Sequence, residues 1–380
     1  MNIRVAIACG GTGGHLFPGL AVGSQLAERG CKVTLLVSPK DVDQQAVKSA
    51  AGLEVVTLPA VGLTRGRRLA FVRGFWQSYR ASARLFKAGP PHAVLAMGGF
   101  TSAPPILAGR RAGAKTFLHE SNTIPGRANR WLSRVVDQAF IGFPSAAGRL
   151  HARTVTVSGT PVRPQFRPCD PAVCRAELGF DPARPLILVM GGSQGAAGIN
   201  RLVAGALPLL AKEAPQWQWL HLSGPEDAPS LRTVYAENGI AAQVHSFLAR
   251  MDLALGAATA AVSRAGASSL AEIAALRLPS VLIPYPAATD DHQLHNARAF
   301  VETGAARLLA QRGATPRELA DLLLELAGNA EAARKMRLAL AQWHSPRAAQ
   351  DIAENMLRSL GAGETDASSL KPALQTKGVA

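Results

Sequence analysis

Long apolar runs are missing from this sequence: no stretch of its 380 residues stays apolar long enough to cross a bilayer as a helix. Cysteine is scarce. The four residues Cys9, Cys31, Cys169 and Cys174 are scattered, and none stands in a C-x-x-C pair. That argues against metal or redox chemistry and, in a chain of this size, against a disulfide framework; the thiols read as buried or incidental. The opening Met1–Val5 lacks the layout of a secretion signal, so a cytoplasmic location is expected. No glycine loop leads into Gly-Lys-Ser or Gly-Lys-Thr, which removes the P-loop. Charged residues make up 18% against 48% hydrophobic, a balance that excludes wholesale disorder. The length exceeds what one core usually organises, so two domains are expected.

Acidic residues are unevenly absent. Residues 1–160 hold 20 Lys and Arg against 6 Asp and Glu, a net of +14; residues 161–380 hold 21 against 20, a net of +1. This asymmetry points to a polyanionic partner for the first half, either a membrane surface or a nucleic acid. Residues 63–89 contain no acidic residue but carry Arg65, Arg67, Arg68, Arg73, Arg80, Arg84 and Lys87, interleaved with Leu69, Phe71, Val72, Phe75, Trp76, Tyr79, Leu85 and Phe86. On a helix from Leu69, positions 72, 75/76, 79, 83 and 86 make one apolar stripe, with the basic residues largely on another side. That suits an interfacial helix on anionic lipid. It also suits a helix packed on the core with a solvated basic face, and we expect the stripe to be shared between the two.

What is present is a repeated strand–glycine loop–helix opening. Residues 3–9 read as a strand, followed by Gly10-Gly11-Thr12-Gly13-Gly14-His15 and a helix from near Pro18 to Gly30. Residues 186–190 read as a second such strand, followed by Gly191-Gly192-Ser193-Gln194-Gly195 and a helix from about Asn200 to Pro215. Further strands are expected at 32–37, 54–58, 93–97, 115–118, 138–141, 154–158, 217–222, 260–263 and 280–283. This alternation predicts two similar parallel α/β domains, joined through the proline-rich segment 159–171. Ser345-Pro346 predicts an N-cap and first position of a helix running to Leu360, and residues 361–380 predict a disordered tail.

A glycine turn between strand and helix lets backbone approach an anion, while the free N–H groups and dipole of the helix attract it. Gly10–Gly14 is therefore a candidate diphosphate site, or a purely structural turn. A dinucleotide fold wants an acidic residue ending its second strand. Here that strand ends in Ser38-Pro39-Lys40, which counts against NAD.

The stretch from Gly10 to Gly19, GGTGGHLFPG, closely resembles the MurG family of bacterial UDP-N-acetylglucosamine transferases. Matches follow in order: Met97-Gly98-Gly99-Phe100, His119-Glu120-Ser121-Asn122, Gly159-Thr160-Pro161-Val162-Arg163, Gly191–Gly195, Ser263-Arg264-Ala265-Gly266-Ala267 through Glu272, and Asp291-His292-Gln293 with Asn296-Ala297. They span about residues 3–355. The family usually has Gln where Ser121 stands and Asn where Thr160 stands.

The resemblance implies an α/β GT-B fold, two Rossmann-like parallel-sheet domains facing across a cleft. Residues 1–160 would be the acceptor and membrane-associating domain, completed by a returning helix at 345–360; residues 164–340 would bind UDP-GlcNAc. It implies inverting transfer of GlcNAc to the C4 hydroxyl of lipid I, the undecaprenyl-diphosphate-MurNAc-peptide, forming lipid II in peptidoglycan synthesis and so serving cell shape and division. The expected location is the cytoplasmic face of the bacterial membrane, as a peripheral protein. Expected partners are UDP-GlcNAc, lipid I, an anionic membrane surface and other cell-wall synthesis and division proteins. No nucleic acid, cofactor or bound metal is expected; a nucleic-acid-binding protein would explain the basic half but not Glu272, Gln293 or the second glycine loop.

On the same resemblance, Thr12, Gly13 and Gly14 would contact substrate and Ser193 the diphosphate. The segment Ala267, Ser268, Ser269, Leu270, Ala271 and Glu272 would bind the nucleotide, with the Glu272 carboxylate accepting both ribose hydroxyls. Backbone at Leu248 would read uracil, Arg163 would reach the nucleotide from the linker, Gln293 would hold sugar hydroxyls and Asn122 the transferred sugar. His15 is the first candidate for the base that deprotonates the acceptor hydroxyl; Glu120 is the second, or orients the acceptor. Arg73, Phe75, Trp76, Tyr79, Arg80 and Arg84 would face the membrane.

Overall fold

A computed structural model describes residues 2–40, 52–59, 68–192 and 195–361. Two all-parallel sheets organise the chain. The first has the order β3-β2-β1-β4-β5-β6-β7, from β1 (Arg4–Ala8), β2 (Lys32–Val37), β3 (Glu54–Thr57), β4 (Ala93–Ala96), β5 (Lys115–Glu120), β6 (Gln138–Ile141) and β7 (Thr154–Val157). The second has the order β10-β9-β8-β11-β12-β13, from β8 (Leu186–Met190), β9 (Gln218–Leu222), β10 (Ala242–His245), β11 (Ala260–Ser263), β12 (Ser280–Leu282) and β13 (Arg307–Leu308). Strands β1 and β8 sit inside their sheets with neighbours on both sides, and both are nearly all apolar and buried. The order reverses beside each of them, so each glycine loop leaves its sheet at a switch point, where ligands bind in open α/β sheets.

In chain order the helices are α1 (Gly13–Glu28), α2 (Arg68–Ala88), α3 (Ala103–Arg111), α4 (Arg127–Leu132), α5 (Pro171–Glu177), α6 (Ala197–Glu213), α7 (Ala228–Glu237), α8 (Met251–Ala257), α9 (Ala267–Leu276), α10 (His292–Glu302), α11 (Pro316–Gly328), α12 (Ala330–Trp343) and α13 (Ala348–Ser359). Helix α13 returns to the first sheet: Ile352, Ala353 and Met356 are buried in one core with Leu16, Leu20 and Leu26 of α1. The reverse exchange occurs at Phe143, which follows β6 but is buried in the second core. Its ring centroid lies 5.3 Å from that of Trp343, which stacks on Phe300 at 4.4 Å. The two chain crossings lie side by side, since a Cβ at Gly159 would stand 2.2 Å from Ser345 Oγ.

Several boundaries differ from expectation. Helix α1 starts at Gly13, not near Pro18, because the glycine loop runs straight into helical backbone and the proline is carried inside. Helix α6 likewise starts at Ala197. The returning helix starts at Ala348 with Arg347 as its cap, because Ser345 packs against Gly159 and is not free to cap. Strands β10 and β13 are short edge strands with weak apolar patterning, and sequence reading passes over them. The proposed tail at 362–380 lies outside the described residues, as do Arg65 and Arg67.

The α2 stripe is divided. Phe86 is buried and Phe75, Tyr79 and Ala83 are half-buried, whereas Leu69, Val72 and Trp76 are 88%, 50% and 53% exposed. Its most buried row also includes the small residues Gly74, Ser78 and Ser82. Trp76 is braced edge-on by Phe75 and Tyr79, with centroids at 6.1 and 5.7 Å. Arg73, Arg80 and Arg84 are exposed beside them. No described helix is long and apolar enough to span a membrane.

Candidate active site between the two domains

The first glycine loop is tied down from behind. Thr101 Oγ1 donates to Gly10 O at 2.7 Å and Lys40 Nζ to Gly11 O at 3.1 Å. Thr12 and Gly14 are exposed at its mouth, Gly13 less so, and no side chain caps the start of α1. The His15 ring lies against the turn Gly98-Gly99, both at positive φ. A Cβ at Gly98 would stand 2.8 Å from His15 Cε1, and one at Gly99 3.1 Å from His15 Cδ2. The Met97–Phe100 motif is thus the floor on which His15 rests.

Helix α9 meets that loop from the second domain. Ser268 Oγ donates to Gly14 O at 2.9 Å. Ala267 and Leu270 are buried in the second core, so their contact with any nucleotide is confined to backbone; Ser268, Ser269, Ala271 and Glu272 are partly open. Glu272 faces Arg163 at 3.5 Å, both side chains nearly buried. The Arg163 guanidinium lies over Phe17 of α1 at 4.0 Å and over Phe166 at 4.7 Å. Its Nε is buried and makes no hydrogen bond among the described residues, leaving a donor for a further acceptor. Burial pushes the Glu272 carboxyl up to about 7, with the Arg163 charge pulling the other way.

Glu120 is 3% exposed and both its oxygens are taken. Oε1 accepts from Asn122 N (2.8 Å) and Asn122 Nδ2 (3.0 Å); Oε2 accepts from Gly126 N and Asn129 Nδ2 (both 2.9 Å). A carboxylate so satisfied folds the 120–126 loop and has no face turned to an acceptor hydroxyl, so the geometry favours orientation over proton transfer for this residue. Beside it, His119 is fully buried. Its Nε2 faces the carbonyl of Gly159 at 3.0 Å, which can only accept, so Nε2 carries the proton and Nδ1 accepts from Ser121 Oγ at 3.2 Å. Burial lowers the His119 pKa, consistent with this neutral form. Ser121 therefore has a defined partner despite departing from the family's Gln.

The same loop is latched to the second domain. Asn296 Nδ2 donates to Asn122 Oδ1 at 3.0 Å and to Ala265 O at 3.1 Å, while its Oδ1 accepts from Thr123 N and Oγ1. Asn296 is fully buried with its amide spent. Gln293, one turn earlier on α10, accepts from Tyr285 N at 3.0 Å. Asp290, at positive φ before α10, pairs with Arg130 at 2.5 Å and Arg127 at 3.9 Å on the first domain.

On the second loop, Gly192 is exposed at positive φ, and a Cβ there would meet open space; Ser193 lies outside the described residues. Leu248 stands apart. Its side chain packs on the second core beside Phe247, which is 60% exposed, so only its backbone is left to read a base. Sequence reasoning named Asn296 and Phe17 within motifs but gave them no role, and missed Thr123 and Phe166. The i, i+3 spacing of Gln293 and Asn296 was the available signal for one shared helix face.

The glycosyltransferase family 28 N-terminal domain matches residues 5–141 and the family 28 C-terminal domain residues 186–355. The chain is 35% identical, over 88% of its length and 93% of the relative's, to the UDP-N-acetylglucosamine–N-acetylmuramyl-(pentapeptide) pyrophosphoryl-undecaprenol N-acetylglucosamine transferase of Pelobacter propionicus. The crystal structure of Acinetobacter baumannii MurG superposes with a TM-score of 0.73 at 28% identity, covering 94% of this chain and all of that one. A UDP-N-acetylglucosamine 2-epimerase shares the fold with a TM-score of 0.68 at 14% identity, over 98% of this chain and 100% of its own.

Proposed function

This chain belongs to glycosyltransferase family 28, and from that membership we propose that it moves GlcNAc from UDP-GlcNAc to the C4 hydroxyl of lipid I, with inversion, to form lipid II. The observation that carries the reading is the meeting of Glu272, Arg163 and Ser268 with the first glycine loop across one cleft. That is where a nucleotide held by the second domain presents its sugar to the first.

In this reading residues 164–340 hold the donor. The Glu272 carboxylate takes the ribose hydroxyls, and Arg163 turns its spare donor toward the nucleotide. Ser193 and the N–H groups of the second loop meet the diphosphate, with Ser269 and the backbone of Ala267, Leu270 and Ala271 alongside. The Leu248 backbone reads uracil. Gln293 and Asn122 contact the sugar, and Glu120 and Asn296 fix where Asn122 stands. Residues 1–160, completed by the returning helix, hold the acceptor, with Thr12, Gly13 and Gly14 at the lipid diphosphate or the incoming donor.

The reaction is an in-line displacement at the anomeric carbon. The acceptor C4 oxygen forms the new bond as the bond to UDP breaks, and the electron pair leaves on the β-phosphate oxygen. The acceptor's proton passes to His15, which the Gly98-Gly99 turn holds at the mouth of the loop. Helix-start N–H groups offset the charge on departing UDP without a protein-bound metal.

The exposed Leu69, Val72 and Trp76, with Arg73, Arg80 and Arg84, form the face that meets anionic lipid; Phe75 and Tyr79 brace it. In this reading the enzyme works peripherally on the cytoplasmic face of the membrane, beside its lipid acceptor and other cell-wall synthesis and division proteins. Conversion of labelled UDP-GlcNAc and lipid I into a labelled lipid disaccharide tests the assignment.

A further inference from the structure

We propose that Cys169 and Cys174 form a dithiol modification site, which hydroperoxides oxidise to a disulfide and thiol reductants restore. The sequence reading treated both cysteines as incidental, but the fold brings their sulfurs to 3.0 Å. Cys169 is exposed on the loop before α5, and Cys174 is buried within that helix. Asp170 caps the helix by accepting from Ala172 N at 2.8 Å, which folds the chain back between the two thiols. Gly256 of α8 faces them both. A Cβ there would stand 2.3 Å from Cys169 Sγ and 3.0 Å from Cys174 Sγ, so the absent side chain is the space the sulfurs occupy. The pair opens on a cavity of about 560 Å³, lined also by Arg167, Arg250 and Leu253, wide enough for a small peroxide. None of the cleft residues takes part.

The asymmetry sets the order of steps. The accessible Cys169 thiol gives up its proton and its thiolate attacks the peroxide: an S–O bond forms, the O–O bond breaks, and the second oxygen leaves, taking up that proton to become water or alcohol. Sulfur is oxidised by two electrons to sulfenic acid and the peroxide is reduced. Cys174 Sγ then attacks that sulfur, the S–S bond forms, and the S–O bond breaks. The hydroxyl departs as water with the proton of Cys174. Burial and the neighbouring Cys169 push the Cys174 thiol up to about 12. It is therefore not the first thiol to react, and it brings the proton that the leaving hydroxyl needs. Closing the bond asks the sulfurs to approach by about 1 Å.

Trypsin leaves both cysteines in one peptide, Thr154–Arg175, because prolines follow Arg163 and Arg167. The full-length protein, treated with hydrogen peroxide and then alkylated, should give this peptide unalkylated and lighter by two hydrogens. Dithiothreitol should restore two alkylatable thiols. Cys169→Ser should leave Cys174 alkylatable after peroxide, and Cys174→Ser should leave Cys169 to accumulate oxygen adducts. Both variants should keep basal transfer activity, which shows that they fold. The proposal is overturned if wild-type Cys169 gains oxygen while Cys174 stays alkylatable, or if both thiols remain alkylatable throughout.

Discussion

Ser268 donates its hydroxyl to the carbonyl oxygen of Gly14 across the cleft, and that carbonyl is the one whose helical partner would be residue 18. Pro18 has no N–H to give it. A proline inside α1 thus leaves an acceptor open, and the opposite domain fills it. Ser268→Ala removes the donor, while Pro18→Ala supplies a competing N–H from within the helix. Each should lower kcat/KM for the donor about 2- to 10-fold, matching the ~0.5–1.5 kcal/mol of one hydrogen bond. Because both act on one bond, the double variant should lose no more than the larger single loss. Steady-state kinetics on the four proteins reads this, and fully additive losses contradict it.

Donor affinity should depend on pH through Glu272. Its carboxyl sits at about 7 in the free protein, raised by burial, and the ionised form is the one that accepts both ribose hydroxyls. Binding therefore releases a proton below that pKa. Affinity should rise with pH by up to about tenfold per unit below 7 and level off above it. Ligand-free stability runs the opposite way: a raised carboxyl pKa favours the folded state toward low pH, and that contribution is lost as pH rises from the unfolded value through 7. Glu272→Gln should bind UDP more weakly at about pH 8 and flatten the profile. Calorimetry between about pH 6 and pH 8 decides it; an unchanged slope in the variant removes Glu272 from the ribose.

His15→Ala should lower kcat by about 10²–10⁴-fold, the range of general-base catalysis, with donor Kd within a few-fold of wild type. Gly98→Ala should resemble it, since the new Cβ would fall 2.8 Å from the imidazole and the backbone there is at φ 110, a strained position for alanine. Pre-steady-state turnover and UDP binding separate the two quantities. Near wild-type kcat in His15→Ala rules it out as the base.

Much of the fold and of the site is legible in the amino-acid sequence. The strand runs of β1 and β8 are continuous apolar segments that only a buried parallel sheet accommodates, and the glycine loops after them mark both switch points. The site residues were findable where a motif lay on one loop or helix, as with Ala267–Glu272. What stayed hidden was contact between segments far apart in sequence. Asn296 and Asn122, Arg163 and Phe17, Ser268 and Gly14 meet only when two separately folded sheets face each other, and no local periodicity encodes that. Glu120 shows the converse. Its type and place suit a base, but burial under four N–H donors assigns it to holding a loop.

The α2 face yields a membrane prediction. Wild-type protein should sediment with vesicles containing anionic lipid, more weakly as salt rises, and not with neutral ones. Leu69→Ser with Trp76→Ser should cut binding at least severalfold without loss of fold, since both side chains are exposed. Arg73→Glu with Arg80→Glu should do the same and remove the salt dependence. Tight, salt-sensitive RNA binding with no vesicle binding contradicts the membrane reading.

The most direct test supplies radiolabelled UDP-GlcNAc and lipid I to the purified protein and follows label into the lipid phase. The account predicts a labelled lipid-linked disaccharide with stoichiometric UDP release, and no product when the acceptor C4 hydroxyl is replaced by hydrogen. Donor binding without labelled lipid, or conversion of UDP-GlcNAc to an epimer in the absence of acceptor, contradicts it.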